Sequence, residues 1–142
     1  MRAIILLMLM SSPALSWEFS VDKVCRLDHV ESDLAIALTY DPSGPIYSIA
    51  LTRPQSWRND PVFGISFNGG VPLTIRTNRH QLSPSGNTLT VSDSGFGNVL
   101  NGLSENATAT AFLGGDVVSF SLAGAAGPVA AFRECAMPAG TA

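Results

Sequence analysis

The feature that most constrains this chain is a series of short runs in which apolar and polar residues alternate, separated by turns rich in Gly, Pro, Asn and Asp. Residues 17–21 show the pattern clearly, with an apolar side chain at every second position. That period of two is typical of a strand with one buried face. It predicts a mainly β fold: a single-domain β-sandwich or closed barrel of about seven to eight strands, with two short helices.

The clearest sequence signal for a hairpin lies between two of the predicted strands. Residues 34–40 and 46–52 are apolar runs linked by the turn-forming sequence DPSGP. In the run 71–76, Pro72 indicates an edge strand, because proline has no N–H to donate to a neighbouring strand. We expect the remaining strands at residues 25–30, 62–67, 88–92, 107–113 and 117–122.

The two helices are predicted from a change of period. Apolar residues recur at helical spacing between Phe96 and Leu103, where Asp93 or Ser94 is expected to cap the helix by accepting a free backbone N–H. A second short helix is expected over residues 127–133. The alternation also predicts the core, which should contain Trp17, Phe19, Leu34, Ile36, Leu38, Ile49, Leu51, Phe63, Ile65, Phe67, Val91, Phe96, Leu100, Phe112, Val118, Phe120 and Phe132.

The first residues have the composition of a secretory signal peptide. A positive start precedes the apolar run 3–10, and small residues follow, so cleavage is expected between Ser16 and Trp17. The apolar run is shorter than the roughly 20 residues that a membrane span requires. We therefore predict a signal peptide at 1–16, a β-rich secreted domain at 17–136 and a disordered tail at 137–142. The mature protein is expected in the periplasm or outside the cell.

Cys25 and Cys135 are the chain's two cysteines. An even count in an exported protein indicates a disulfide bond between them, and their wide separation excludes a CxxC redox or zinc motif. Two alternatives are a pair of buried free thiols and a bond to another chain.

Charge and composition argue against several kinds of partner. The chain has a formal net charge of −3 and a single lysine, Lys23, whereas nucleic-acid binding needs clustered basic residues. No later stretch is apolar enough for a transmembrane segment in the mature chain. Two isolated histidines and single glycines do not form a metal or phosphate site, so neither metal nor cofactor is expected.

Asp93, Ser94 and Gly95 match three letters of the nucleophile motif of chymotrypsin-like proteases. A serine nucleophile needs a base, and only His29 and His80 are available. We therefore expect no catalytic residue and no enzyme activity, with a small hydrolase using Ser94 as one alternative.

Two polar loops carry a candidate interaction surface, because Trp and Arg are common at the energetic centres of interfaces. Its residues are Arg53, Trp57, Arg58, Arg76, Arg79 and His80. If Trp57 instead fills one end of the core, the arginines are simply solvated. A further alternative is an inhibitor of an extracellular enzyme that acts through loop 53–60.

The order of several residues resembles a known family of small exported proteobacterial domains, the invasion-associated locus B family. The residues that carry this resemblance are Trp17, Cys25, Leu122, Gly124, Ala131 and Cys135. It implies a periplasmic or secreted β-rich domain without established catalytic residues. We therefore expect a non-catalytic binding or interaction domain of the bacterial envelope, whose partner is an unidentified protein or envelope component.

The processing prediction can be checked by mass. Protein recovered after export should have the intact mass of a chain that begins at Trp17, because signal peptidase accepts the small residues Ala14 and Ser16. An exported form that retains Met1 would contradict it.

Overall fold

Ten strands and two helices are arranged in two antiparallel sheets in the computed structural model, which describes residues 16–136. The predicted signal peptide, apart from Ser16, and the predicted tail lie outside the described residues. The strands are β1 (Glu18–Val21), β2 (Cys25–Glu31), β3 (Leu34–Asp41), β4 (Ile46–Thr52), β5 (Phe63–Asn68), β6 (Leu73–Thr77), β7 (Gln81–Leu82), β8 (Thr88–Asp93), β9 (Thr108–Leu113) and β10 (Asp116–Ser121), and the helices are α1 (Gly97–Glu105) and α2 (Ala126–Ala136).

The larger sheet has the order β1-β2-β3-β4-β8-β7 and the smaller sheet the order β10-β9-β5-β6. The prediction of a mainly β chain with two helices is confirmed, whereas the strands within residues 16–136 form two open sheets and no closed barrel. The described residues contain ten strands instead of about seven or eight. Part of the difference is β7, whose two residues lie in a segment that has the sequence of a polar loop.

Hairpins form where the sequence predicts them. β3 pairs with β4, β5 with β6, and β9 with β10, each across a short connection. The edge position expected from Pro72 is also found, because β6 ends the smaller sheet. The pairings β4–β8 and β5–β9 join these hairpins into sheets across long stretches of sequence.

Both sheets contribute alternate side chains to one hydrophobic core. Helix α1 packs closely against this core because residue 102 is a glycine: a Cβ atom there would lie 2.4 Å from the ring of Phe67. Any larger residue would push the helix away from the smaller sheet. Gly102 therefore sets the position of α1 relative to β5.

One predicted core residue points the other way. Phe112 is only half-buried, and the neighbouring Leu113 is fully buried. The ring of Phe112 covers Gly64 on the outer face of the smaller sheet, where a Cβ atom at residue 64 would lie 2.2 Å from it. Ala109, Ala111 and Leu113 set the inward register of β9, so the prediction for Phe112 is wrong.

The start of α1 also differs from expectation. Phe96 is the N-cap residue, and no side chain caps the helix. The carboxylate of Asp93 instead accepts the backbone N–H of Ser94 at 2.6 Å, one residue along the chain. The expected cap by Asp93 or Ser94 is therefore wrong, because the helix begins too far along the chain for either side chain to reach it.

The predicted disulfide bond is present. Cys25 at the start of β2 is bonded to Cys135 in the last turn of α2, with the Cα atoms 6.1 Å apart across a sequence separation of 110 residues. Such spacing lies within the usual range for a disulfide. The bond fastens α2 to the strands against which it packs, β1 and β2.

Removing this bond should destabilise the protein. The double variant Cys25→Ala, Cys135→Ala should lose about 2–5 kcal/mol of unfolding free energy, because a long closed loop restricts the unfolded chain. Urea denaturation followed by tryptophan fluorescence measures the loss, and reduced wild-type protein should match the variant. An unchanged unfolding free energy, or free thiols in the unfolded, unreduced protein, would argue against the bond.

Candidate functional site

Loop 53–60, the first half of the predicted interaction surface, turns its tryptophan inward. Trp57 is 4% exposed, and its Nε1 donates a hydrogen bond to the Leu51 carbonyl at 3.3 Å. The guanidinium carbon of Arg53 lies 4.1 Å from the centroid of the Trp57 ring. Trp57 therefore belongs to the core, and Arg53 covers it from the solvent side.

Asp116 holds this loop in place. Its Oδ2 accepts the backbone N–H of Arg58 at 2.7 Å and the guanidinium of Arg53 at 2.9 Å. The hydrogen bond from Arg58 and the nearby positive charges of Arg53 and Arg58 lower the pKa of Asp116 below its ordinary value, against a smaller opposing effect of burial. Loop 53–60 is thereby fixed to the first residue of β10.

Arg76 and His80, in the second half of the predicted interaction surface, lie in two different environments. Arg76 lies on the outer face of β6, with its guanidinium carbon 5.6 Å from the centroid of the Phe112 ring. His80 Nε2 donates to the Asp60 carbonyl at 2.8 Å, and among the described residues its buried Nδ1 has no hydrogen-bond partner. His80 thus joins the two predicted loops. Whether the six residues bind a partner stays a prediction.

Between the two sheets the structure contains a cavity of about 560 Å³. Residues of β4, β5, β6 and β8 line it, and the segment 93–99 borders it. Its apolar wall consists of Ile49, Phe63, Ile65, Ile75, Val91, Phe96 and Val99. Thr77, Arg79, Asp93 and Asn98 contribute to its polar part. The cavity is thus an apolar interior with a small polar rim, the usual composition of a ligand site.

The charged residues in the cavity lining are Arg76, Arg79 and Asp93. Asp93 already accepts hydrogen bonds from the backbone N–H and the hydroxyl of Ser94, at 2.6 and 3.4 Å. Arg79 forms no ion pair within residues 16–136. Arg76 and Asp93 likewise have no ion pair there, so two guanidinium groups face one carboxylate and the lining has an excess of one positive charge.

Phe96 closes one end of the cavity. Its ring is buried and stacks on the ring of Tyr47, with 5.4 Å between the ring centroids. The centroid of the Tyr47 ring in turn lies 4.5 Å from that of Tyr40 and 6.2 Å from that of Phe132. Burial raises the pKa of the Tyr47 phenol, the nearby Tyr40 adds to the rise, and Arg133 opposes it. This wall is an aromatic cluster in which Tyr47 stays neutral at physiological pH.

The geometry around Ser94 differs from that of an activated serine. Ser94 is exposed, and its hydroxyl contacts Asp93. His29 is 2% exposed, stacks on Trp17 at 4.5 Å and has its Nε2 3.4 Å from the Glu31 carboxylate. His80 is bonded to the Asp60 carbonyl instead. Both histidines that the hydrolase hypothesis requires are thus bonded to groups other than Ser94.

Sequence reasoning identified Arg79 but missed the apolar wall. Val91 was predicted as a core residue, and Ile75 and Val99 have the same alternation or helical spacing as core residues elsewhere. Residues that line a cavity and residues that fill a core recur in the sequence with the same apolar spacing. No signal in the sequence could separate them, because the difference depends on what lies opposite.

The Asp116 anchor leads to a prediction about pH. Asp116→Asn should lower the melting temperature near neutral pH, because the variant loses a charge that holds Arg53 and Arg58. A lowered folded-state pKa stabilises the fold above the unfolded carboxyl pKa of about 3.9, and this stabilisation is lost as pH falls through the folded value. The gap between wild type and variant should therefore close in acid.

Thermal unfolding followed by circular dichroism from about pH 7 to about pH 2 measures this gap. Asp33→Asn, in the turn between β2 and β3, is the matched control and should have little effect at any pH. An Asp116→Asn melting temperature equal to that of wild type at neutral pH would refute the anchoring role.

Within residues 16–136, no group of three or more His, Cys, Asp or Glu side chains could hold a metal ion. Neither helix in that part of the chain has the length and apolar character to cross a membrane. Comparison with models of protein families, with curated proteins and with solved structures finds no match to this chain.

Proposed function

We propose that this protein is a non-catalytic, exported binding domain of the bacterial envelope, and that the cavity between its sheets binds a small amphipathic ligand. The ligand has an apolar tail and an anionic head, as a medium- or long-chain carboxylate does. The cavity itself is the observation that carries this proposal, because its size falls within the roughly 300–1,000 Å³ of typical ligand sites.

The wall of the cavity favours an apolar tail. Each methylene transferred from water to such a wall contributes about 0.8 kcal/mol. The rim favours an anionic head, because Arg76 and Arg79 have no ion pair within the described part of the chain and outnumber the one carboxylate in the lining, Asp93. A head group at the rim can keep part of its hydration while the tail is buried.

The alternatives receive less support from the same geometry. A hydrolase would need a base beside Ser94, and His29 and His80 are bonded elsewhere. An inhibitor acting through loop 53–60 would present its large side chain to the target enzyme, but Trp57 is buried. Export to an oxidising compartment agrees with the disulfide bond. The resemblance to the invasion-associated locus B family is part of the proposal and agrees with an exported β domain.

Binding of dodecanoate below its micelle concentration tests the proposal. Isothermal titration calorimetry should show binding to one site, and dodecyltrimethylammonium, of equal tail length and opposite charge, should bind more weakly. Val99→Trp should weaken dodecanoate binding by about tenfold or more, because the indole occupies the cavity. Val117→Trp, on the exposed side of β10, is the matched control and should bind as wild type does.

The contribution of the rim charge is measured with a second pair of variants. Arg79→Gln should weaken dodecanoate binding by about two- to fivefold, the size expected for an exposed ion pair. Arg26→Gln, on β2 away from the cavity lining, should leave it unchanged. Absence of dodecanoate binding, or equal loss in Val99→Trp and Val117→Trp, would refute the cavity as a ligand site.

A further inference from the structure

A second cavity of about 470 Å³, more open to solvent than the first, also has Phe96 in its lining. Tyr47, Leu100 and Ala136 form its apolar part, and Arg133 and Glu134 of α2 belong to its lining. It shares Gly95, Phe96 and Gly97 with the first cavity, so this segment is the partition between the two.

The partition consists of one aromatic ring held by packing alone. The Phe96 carbonyl accepts the N–H of Leu100 at 2.9 Å, which fixes the backbone at the start of α1. The ring itself has no polar group and rests against Tyr47. Rotation of the side chain would therefore break no hydrogen bond. A ligand tail in the same place would replace the aromatic contacts that the rotated ring gives up.

The residues on either side of Phe96 offer an independent observation. Apart from its neighbours along the chain, a Cβ atom at residue 95 or 97 would meet no atom within 4 Å, and neither glycine has a positive φ. Neither available space nor backbone conformation therefore requires glycine here. What two glycines around a buried aromatic residue do provide is backbone freedom, which any side chain would reduce.

We propose that Phe96 is a gate between two compartments of one ligand site, and that the ligand is an anionic amphiphile whose tail passes the gate into the second cavity. The inference rests on the proposed function, because it assumes that the first cavity holds the head-proximal part of the tail. Leu100, Tyr47 and Ala136 then contact the distal methylenes. Arg133 donates a hydrogen bond to the Asn101 side chain, and Arg133 and Glu134 have opposite charges, so the lining at the far end has no net charge to attract a second anionic head group.

A chain-length series tests the gate. For wild type, affinity should rise by about fourfold per added methylene from octanoate to hexadecanoate, because each methylene is buried in one compartment or the other. In Gly95→Ala, Gly97→Ala the rise should stop at the longer chains, so that the ratio of hexadecanoate to octanoate affinity falls below that of wild type, because the stiffened segment holds Phe96 closed. Gly127→Ala in α2, another position with open space around it, is the matched control and should follow wild type.

The place of the tail is read directly by NMR on the wild-type protein. Stearate carrying a nitroxide near its methyl end should broaden the amide signals of Arg133 and Glu134 in the second cavity. Failure of dodecanoate to bind would refute the proposed function itself. Octanoate binding combined with a plateau at long chains in wild type, or with no broadening at Arg133 and Glu134, would overturn the gate and leave the first cavity as the whole site.

Discussion

The unequal width of the two sheets is the constraint on which the rest of the structure depends. Six strands present an apolar face, and only four strands form the sheet that shares their core. An apolar sheet face must be covered, so other elements complete the layer. Helix α2 does so over β1 and β2, where the Cys25–Cys135 bond holds it in place. The disulfide thus secures a cover that a wider second sheet would otherwise provide.

Near β6 and β8, less of the chain covers the space between the two sheets. The segment 93–99, with glycines at residues 95 and 97, borders the space between the sheets there and leaves a cavity of about 560 Å³. Loop 53–60, in contrast, is fixed by Asp116 and filled by Trp57. Loop 53–60 therefore stabilises the fold, whereas the segment 93–99 borders an opening. The proposed ligand site follows from this difference, because only the segment 93–99 leaves apolar surface reachable from solvent.

The elements of the fold were largely predictable because they depend on neighbours in sequence. Hairpins β3–β4, β5–β6 and β9–β10 follow from alternation and turn residues, and the cysteine pairing follows from the predicted export and an even count. Phe112 shows the limit of such reasoning. Alternation assigns residues 111 and 113 to one face and 112 to the other, but the choice of the buried face depends on the pairing of β9 with β5. The bulkier residue was expected inside and lies outside, over Gly64.

The same limit applies to the site. The sequence by itself determined that the chain is mainly β, that it has two short helices and a disulfide, and that Arg53, Trp57 and Arg79 lie in polar connections. Only the tertiary structure decided that Arg53 is bonded to Asp116 while Arg79 borders an apolar cavity. The physical reason is that periodicity records which side chains share a face, whereas a cavity exists only where two faces distant in sequence fail to meet.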